Sequence, residues 1–463
     1  EAASSVLGRK ISIDGDLDIV LLPEPHVHAG RVSAAGGSGA PLLTSEAVDV
    51  SLSLQGLLGG SLDATSLKLV HPVLTLDLSV PAGERQAKVR EEFPLSAEAD
   101  SVEIEEGRIE VLAKQPGPRR AVTLDRISGT LLAPHEAPST FRFSGHFDYS
   151  SRTFDTKFAA SPASGGIFKL NGGASDQASK TLIHADGVVS TGDEPAFDGA
   201  VGITMGRQGI WGALPFGLQA KSRAHLTLSR ASLSELGLTL SSDDRPQTMT
   251  GAMDIDYAEG AVELSLDAPS IDAEALLGDD EGTSASPQAI KADAIGRARD
   301  WSGLLWFYPS ATVRLAFSAN QIQRGGELIE NVRVEALRRG GQWTVNDAEA
   351  TLPGEARASI DGTLASRGSD LKFVGRMRAE GKNLKRAVGF LSPQGPGGLA
   401  LPSKPFAIRS AVTLSPALSA FDGIAGELDG GAFTAGLKIE RQQGTRLRLW
   451  LASDRLDLNA LTA

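Results

Sequence analysis

With 463 residues, 41% of them hydrophobic and 22% charged, the chain is too apolar to stay disordered and long enough to organise a large apolar surface. A net charge of −12 with no basic stripe argues against a grip on nucleic acid, and the absence of cysteine removes disulfides, thiolate nucleophiles and thiolate metal sites. No run reaches the roughly 18 consecutive apolar residues of a membrane-spanning helix, and 52 glycines with 23 prolines favour turns and sheet.

Alternation of period two dominates from the start, so the fold class expected is all-β and mostly antiparallel with a few short helices. Ile11, Ile13, Leu17, Ile19 and Leu21 fall on one side of a predicted strand, with Ser12, Asp14, Asp16 and Asp18 on the other. Val48, Val50, Leu52 and Leu54 form the next apolar side before Gly56 to Gly60 interrupt it. Leu67 and Leu69 lead to His71-Pro72, and Leu74, Leu76, Leu78 and Val80 follow. Val102 to Val111 alternates as well, with Glu106-Gly107 reading as a hairpin turn in its middle. Further strands are predicted around Phe141 to Tyr149, Phe154 to Phe158, Phe168 to Leu170, Val313 to Phe317, Val332 to Ala336, Ile360 to Leu364 and Phe433 to Ile439. About two dozen strands result, which in one sheet would extend on the order of 100 Å at about 4.8 Å per strand. Two or three separate sheets fit the pattern equally.

One strand order occurs twice. His225 to Gly278 carries HLTLS, MTGAMDIDY and AVELSLDA and closes on Leu276-Leu277; Ala411 to Ala463 carries AVTLS, FTAGLKIER and TRLRLWLASD and closes on Leu461. KFVGRMRAEG followed by KNLKRAVGFL is a partial third copy. Like units added side by side extend a face, so binding along a surface is expected ahead of chemistry at a point.

Helix signals are few. Ser286 to Trp306 has Ser286-Pro287 at its start and Ile290, Ala294, Ile295, Ala298 and Trp301 at helical spacing, and short helices are expected after Asn383 and Leu456. The expected divisions are a β start at 1–85, a β middle at 86–278, a loop with helix at 279–310, a β repeat at 311–391, a Pro/Gly-rich linker at 392–405 and a C-terminal β repeat at 406–463.

Few residues suggest chemistry. His26 and His28, with Glu24 beside them, point the same way on a strand, but no further His or Cys completes a metal tetrahedron. Asp14-Gly15-Asp16-Leu17-Asp18 lacks the closing Glu of a calcium loop, and Ser38 lies one residue out of place for a nucleophile elbow. Gly381-Lys382-Asn383 lacks the hydroxyl of a phosphate loop, and Trp301, Trp306, Phe307 and Tyr308 read as packing. No catalytic residue, metal or cofactor is therefore expected.

A family resemblance begins at Gly8 to Leu17 (GRKISIDGDL), Leu22-Pro23-Glu24-Pro25, Val48 to Leu54, Leu57-Leu58-Gly59-Gly60 and Leu67 to Leu74 (LKLVHPVL). It continues at Gly325 to Val332 (GGELIENV), Leu352-Pro353-Gly354 and Leu456-Asp457-Leu458, and together these pieces resemble AsmA-like proteins over most of the chain. The resemblance implies a Gram-negative envelope protein with a periplasmic body of repeating β-groove type, similar to chorein-type bridge-like lipid-transfer proteins. It also implies phospholipid transport between inner and outer membrane and an inner-membrane anchor formed by one N-terminal helix. That anchor is absent from this sequence, and the missing starting Met fits a segment of a longer polypeptide.

The alternation fits the same mechanism. A curved sheet with Leu, Ile, Val and Phe inside and Asp, Ser, Thr and Lys outside makes a trough for acyl chains. Ile13, Leu17, Ile19, Val50, Leu52, Leu54, Leu74, Leu76 and Leu78 are the expected lining at its start. The alternative is that the apolar faces pack on each other as stacked β-sandwich units. Phospholipids or other acyl-chain lipids are thus the expected partners, with envelope proteins as a second class. A non-enzymatic periplasmic scaffold or protein-binding module is the competing function.

Overall fold

The computed structural model describes residues 11–35, 41–60, 64–77, 99–112, 121–132, 140–149, 151–163, 166–190, 195–209, 212–213, 216–242, 245–257, 259–277, 312–367, 370–391, 401–441 and 445–453. Twenty-six strands belong to one hydrogen-bonded sheet, mostly antiparallel, and a two-stranded ribbon stands apart. The expected helix at 286–306, the Trp301 cluster, Ser38 and the helix after Leu456 lie outside the described residues.

The chain divides into two compact units, one of residues 1–236 with 254–260 and the other of 237–253 with 261–463. In the first, β1 (Ile11–Ile13) and β2 (Leu17–Val20) both pair with β3 (His26–Ala35), which pairs with β4 (Pro41–Leu52). β5 (Ala64–Val70) and β6 (Val73–Asp77) follow β4 and run parallel to β7 (Ser101–Leu112). An antiparallel series continues through β8 (Ala121–Leu132), β9 (Phe141–Tyr149), β10 (Arg152–Pro162), β11 (Ile167–Asp176), β12 (Thr181–Ser190) and β13 (Ala196–Met205). The ribbon is β14 (Gln208–Gly209) with β15 (Gly212–Ala213), and β16 (Gly217–Thr227) resumes the sheet beside β13. The unit boundary falls within β17 (Arg230–Ser242) and β18 (Arg245–Asp256).

In the second unit β19 (Ala261–Asp272) runs parallel to β20 (Thr312–Arg324). From there the ladder is antiparallel through β21 (Glu327–Arg339), β22 (Gln342–Leu352), β23 (Ala356–Arg367) and β24 (Asp370–Gly381). β25 (Phe406–Leu414), β26 (Leu418–Leu428), β27 (Gly431–Arg441) and β28 (Thr445–Ser453) complete it. The sequence repeat thus matches β16 to β19 with β25 to β28.

Among the described residues three short helices interrupt the strands, each begun by a side chain that supplies an acceptor for unpaired backbone N–H groups. Ser53 accepts from Gly56 N at 3.1 Å and opens α1 (Leu54–Gly59), which ends at Gly60 with φ 82°. Asp272 accepts from Glu274 and Ala275 N, both at 3.0 Å, and opens α2 (Ala273–Leu277). Asn383 accepts from Arg386 N at 3.0 Å and opens α3 (Leu384–Leu391), so Gly381-Lys382-Asn383 is a strand end and a cap.

Glu106-Gly107 is not a hairpin turn. β7 runs straight through it as one strand, with Glu105 and Glu106 together opposite Ser128 of β8 and Glu106 held at φ 50°. Such a bulge inserts one residue, so the apolar phase moves from Val102 and Ile104 to Ile109 and Val111 while all four stay half-buried. The device recurs with Arg31 in β3, Arg126 in β8, Glu235 in β17 and Asn331 in β21, all at φ between 45° and 53°. In β17, Ser234 and Glu235 are both exposed while Leu236 and Leu240 are buried beyond them.

A left-handed backbone costs a non-glycine residue about 1–2 kcal/mol. Glu235→Gly should therefore leave the urea midpoint unchanged or raise it, because the strain relieved offsets the added chain entropy. Glu235→Val should lower stability by about 1–2 kcal/mol, since a β-branched residue fits this conformation worst.

Candidate functional site

Residues directly opposite each other in a ladder share a face, so the registers define its chemistry. In the first unit Ile19 stands opposite Val27, Val27 opposite Val50, Val50 opposite Leu67, and Leu67 opposite Val102. Val102 then faces Leu131, Leu131 faces Phe143 and Phe143 faces Phe158, with the two rings stacked at 5.2 Å. One apolar row thus crosses eight strands without a polar interruption. In the second unit a like row runs Leu264, Leu315, Ala336, Val345, Gly362, Gly375, Val412, Phe421, Leu437 and Leu449.

Where two glycines meet across strands, a phenylalanine fills the gap. The Phe143 ring lies over Gly129 and Gly145, and the Phe373 ring lies over Gly362 and Gly375, close enough that an added Cβ would meet it. The rows therefore stay apolar where they lose side chains. At one margin of the second unit, Ala387 of α3 packs on Ala356, Ala379 and Phe406, with Leu352, Met377 and Ile408 around them.

The face is apolar and only partly buried: Phe143, Ala336 and Val412 are buried, and most of the other row residues are half-buried. Fourteen of the 26 buried apolar side chains among the described residues are alanines, whereas the inside of a sandwich would be filled by large ones. Ile19 remains 61% exposed, Phe158 39% and Leu449 46%.

The other side is charged and internally paired. Lys68 Nζ reaches Glu105 at 2.8 Å and Glu103 at 3.7 Å, and the Glu105 hydrogen bond raises the Lys68 pKa. His28 Nδ1 meets Asp49 Oδ1 at 2.5 Å, which raises the His28 pKa, while His26 Nδ1 lies 3.0 Å from the Glu24 carbonyl oxygen. Among the described residues no three His, Cys, Asp or Glu side chains are placed to hold a metal.

An open cleft of about 940 Å³ follows the bulges of the first unit and is lined by Arg31, Glu46, His71, Glu106, Arg108, Arg126 and Asp148, among others. His71, at φ 48° between β5 and β6, contacts Glu46 of β4 at 2.7 Å and Glu106 of β7 at 3.2 Å. Arg126 pairs with Asp148, which also accepts from Thr153 at 2.7 Å. Burial pushes the Asp148 pKa up, and the hydrogen bonds from Thr153 and Arg126 more than offset it. The period-two pattern did not mark this cleft; its signal was the doubled polar residue at the phase breaks of β7 (Glu105-Glu106) and β8 (Asp125-Arg126).

Of the expected lining residues, Ile19 and Val50 share the long row, and Leu17 stands opposite Ala29 in the row beside it. Leu52 pairs with Ala64. Beyond the bulges, Leu74 lies between Leu43 and Ile109, Ile13 is opposite Val32 and Leu76 is opposite Val111. Leu54 is corrected: the Ser53 cap turns the chain out of β4, so Leu54 begins α1 and is exposed. Leu78 lies outside the described residues. No described helix is long and apolar enough to cross a membrane.

No protein-family model, curated protein or solved structure matches this chain.

Hydrogen bonds to Glu46 and then Glu106 hold the His71 pKa above its ordinary 6.5. The folded value exceeds the unfolded one, so the stabilisation is fully present below the unfolded pKa and is lost as pH rises through the folded pKa. An NMR titration should place the His71 imidazole above 6.5, and Glu46→Gln should move it back down. The stability advantage over His71→Gln should disappear on the alkaline side of that midpoint.

Proposed function

We propose that this chain binds lipid acyl chains along a hydrophobic β-groove and is not an enzyme. In this reading it belongs with the AsmA-like envelope proteins its motifs resemble. Its place would be the periplasm, attached to the inner membrane by an anchor in the longer protein, and its role phospholipid transport between inner and outer membrane in outer-membrane biogenesis.

The observation that carries the reading is the long apolar row, continuous in register and only partly buried. At about 4.8 Å per strand, seven spacings give about 34 Å of apolar surface, comparable with the roughly 30 Å hydrocarbon thickness of a bilayer. Each methylene removed from water contributes about 0.8 kcal/mol, so contact area alone holds an acyl chain. Because no polar residue interrupts the row, no single position traps the lipid, and headgroups remain on the wet margin.

A protein-binding scaffold is the second reading, favoured by the charged, internally paired side of the sheet, and it needs no lipid at all.

Native mass spectrometry with lipid extraction, on protein purified without detergent, should find phospholipids in variable number. Val50→Asp and Leu315→Asp should each cut bound lipid about tenfold at an unchanged urea midpoint, because a carboxylate on the face must be desolvated under an acyl chain. Glu103→Ala on the charged side should change nothing. A stable protein that never carries lipid would sink the groove reading, and global unfolding by Val50→Asp would make the row a packed core.

A further inference from the structure

Part of the second unit carries a local excess of positive charge. Residues 356–428 hold ten Lys and Arg against five Asp and Glu, although the whole chain has a net charge of −12. Several of these basic groups are paired. Arg376 donates to Asp361 at 2.9 and 3.1 Å, Lys382 meets Glu355 at 2.5 Å, Arg386 meets Glu327 at 3.1 Å and Lys404 meets Asp429 at 2.9 Å.

Arg378 of β24 and Arg409 of β25 differ. They stand directly opposite each other on the charged side, both exposed, and among the described residues neither guanidinium has an ion-pair or hydrogen-bonding partner. Like charges so placed repel. On the other flank of Arg378, Ser359 of β23 stands opposite it, with its hydroxyl also unpartnered among the described residues. Beyond Arg409 comes Ala425 of β26, and Ala407 and Ala411 lie two places to either side of it along β25, so small side chains border it. The carboxylates in the adjacent rows are Asp361, Glu380, Asp422 and Glu427; Asp361 is held by Arg376, and none of the four pairs with Arg378 or Arg409. Residues 392–400, between α3 and β25 and outside the described residues, contain no Asp or Glu.

We propose that Ser359, Arg378 and Arg409 form an anion site that takes a phosphate group. A guanidinium fork binds phosphate oxygens through paired N–H donors, and two such forks beside a hydroxyl present donors alone. The bound anion removes the repulsion between the two arginines, as Asp361 neutralises Arg376 in the adjacent row. The site lies on the side of the sheet opposite the apolar row, so it does not rest on the acyl-chain reading. A free phosphate ion and a lipid headgroup presented from outside the sheet share this chemistry.

Titration calorimetry at constant ionic strength tests this with two soluble probes that need no groove, inorganic phosphate and the headgroup phosphodiester glycerophosphoglycerol. Wild type should bind at least one of them saturably, and the tighter probe identifies the source of the phosphate. Arg378→Ala combined with Arg409→Ala should weaken that binding about tenfold or more, because both forks are lost. Lys372→Ala combined with Lys385→Ala removes the same charge from two exposed lysines, and should change the affinity less than about twofold, since distant exposed charges are screened. A second readout is stability. In low salt without phosphate, Arg409→Ala should raise the urea midpoint by relieving the repulsion, and added phosphate should then raise the midpoint of the wild type alone. No saturable binding of either probe, or an equal loss of affinity in the lysine variant, overturns the proposal.

Discussion

Every described strand must hydrogen-bond its neighbours while keeping its apolar side chains on the one face that is apolar, and a one-residue slip would turn the whole set over. The mid-strand bulge satisfies both demands. It adds a residue in a left-handed conformation, shifts the alternation by one, and leaves Ile104 and Ile109 on the same side of β7. The cost is local strain at Arg31, Glu106, Arg126, Glu235 and Asn331, tolerated because the ladders on either side define the backbone.

The bulges also organise the charged side. Because neighbouring strands carry them at matching heights, the polar residues they displace come together, and His71 ends between Glu46 and Glu106. These pairs are exposed, so their contribution to stability is small. What they provide is register: a slipped β7 would lose its partner on both neighbours. The apolar side depends instead on continuity, which the Phe143 and Phe373 rings preserve over the paired glycines.

A face of this kind is costly to leave in water, and its persistence in both units is the physical basis of the acyl-chain reading.

The period-two pattern alone determined that the chain is a sheet protein, where most strands lie and which side of each is apolar, because side-chain direction in a strand follows directly from residue parity. It also placed Ile19 and Val50 on a common face and the helix after Asn383. It misread Glu106-Gly107, since the left-handed conformation that a tight turn needs is the same one a bulge needs, and only the partner strand distinguishes them. It kept Leu54 on a strand, because a leucine at the right parity carries no sign that Ser53 caps a helix. Whether the apolar sides are covered was a matter for tertiary structure alone: burial depends on what lies opposite a face, and alternation encodes only that a face exists.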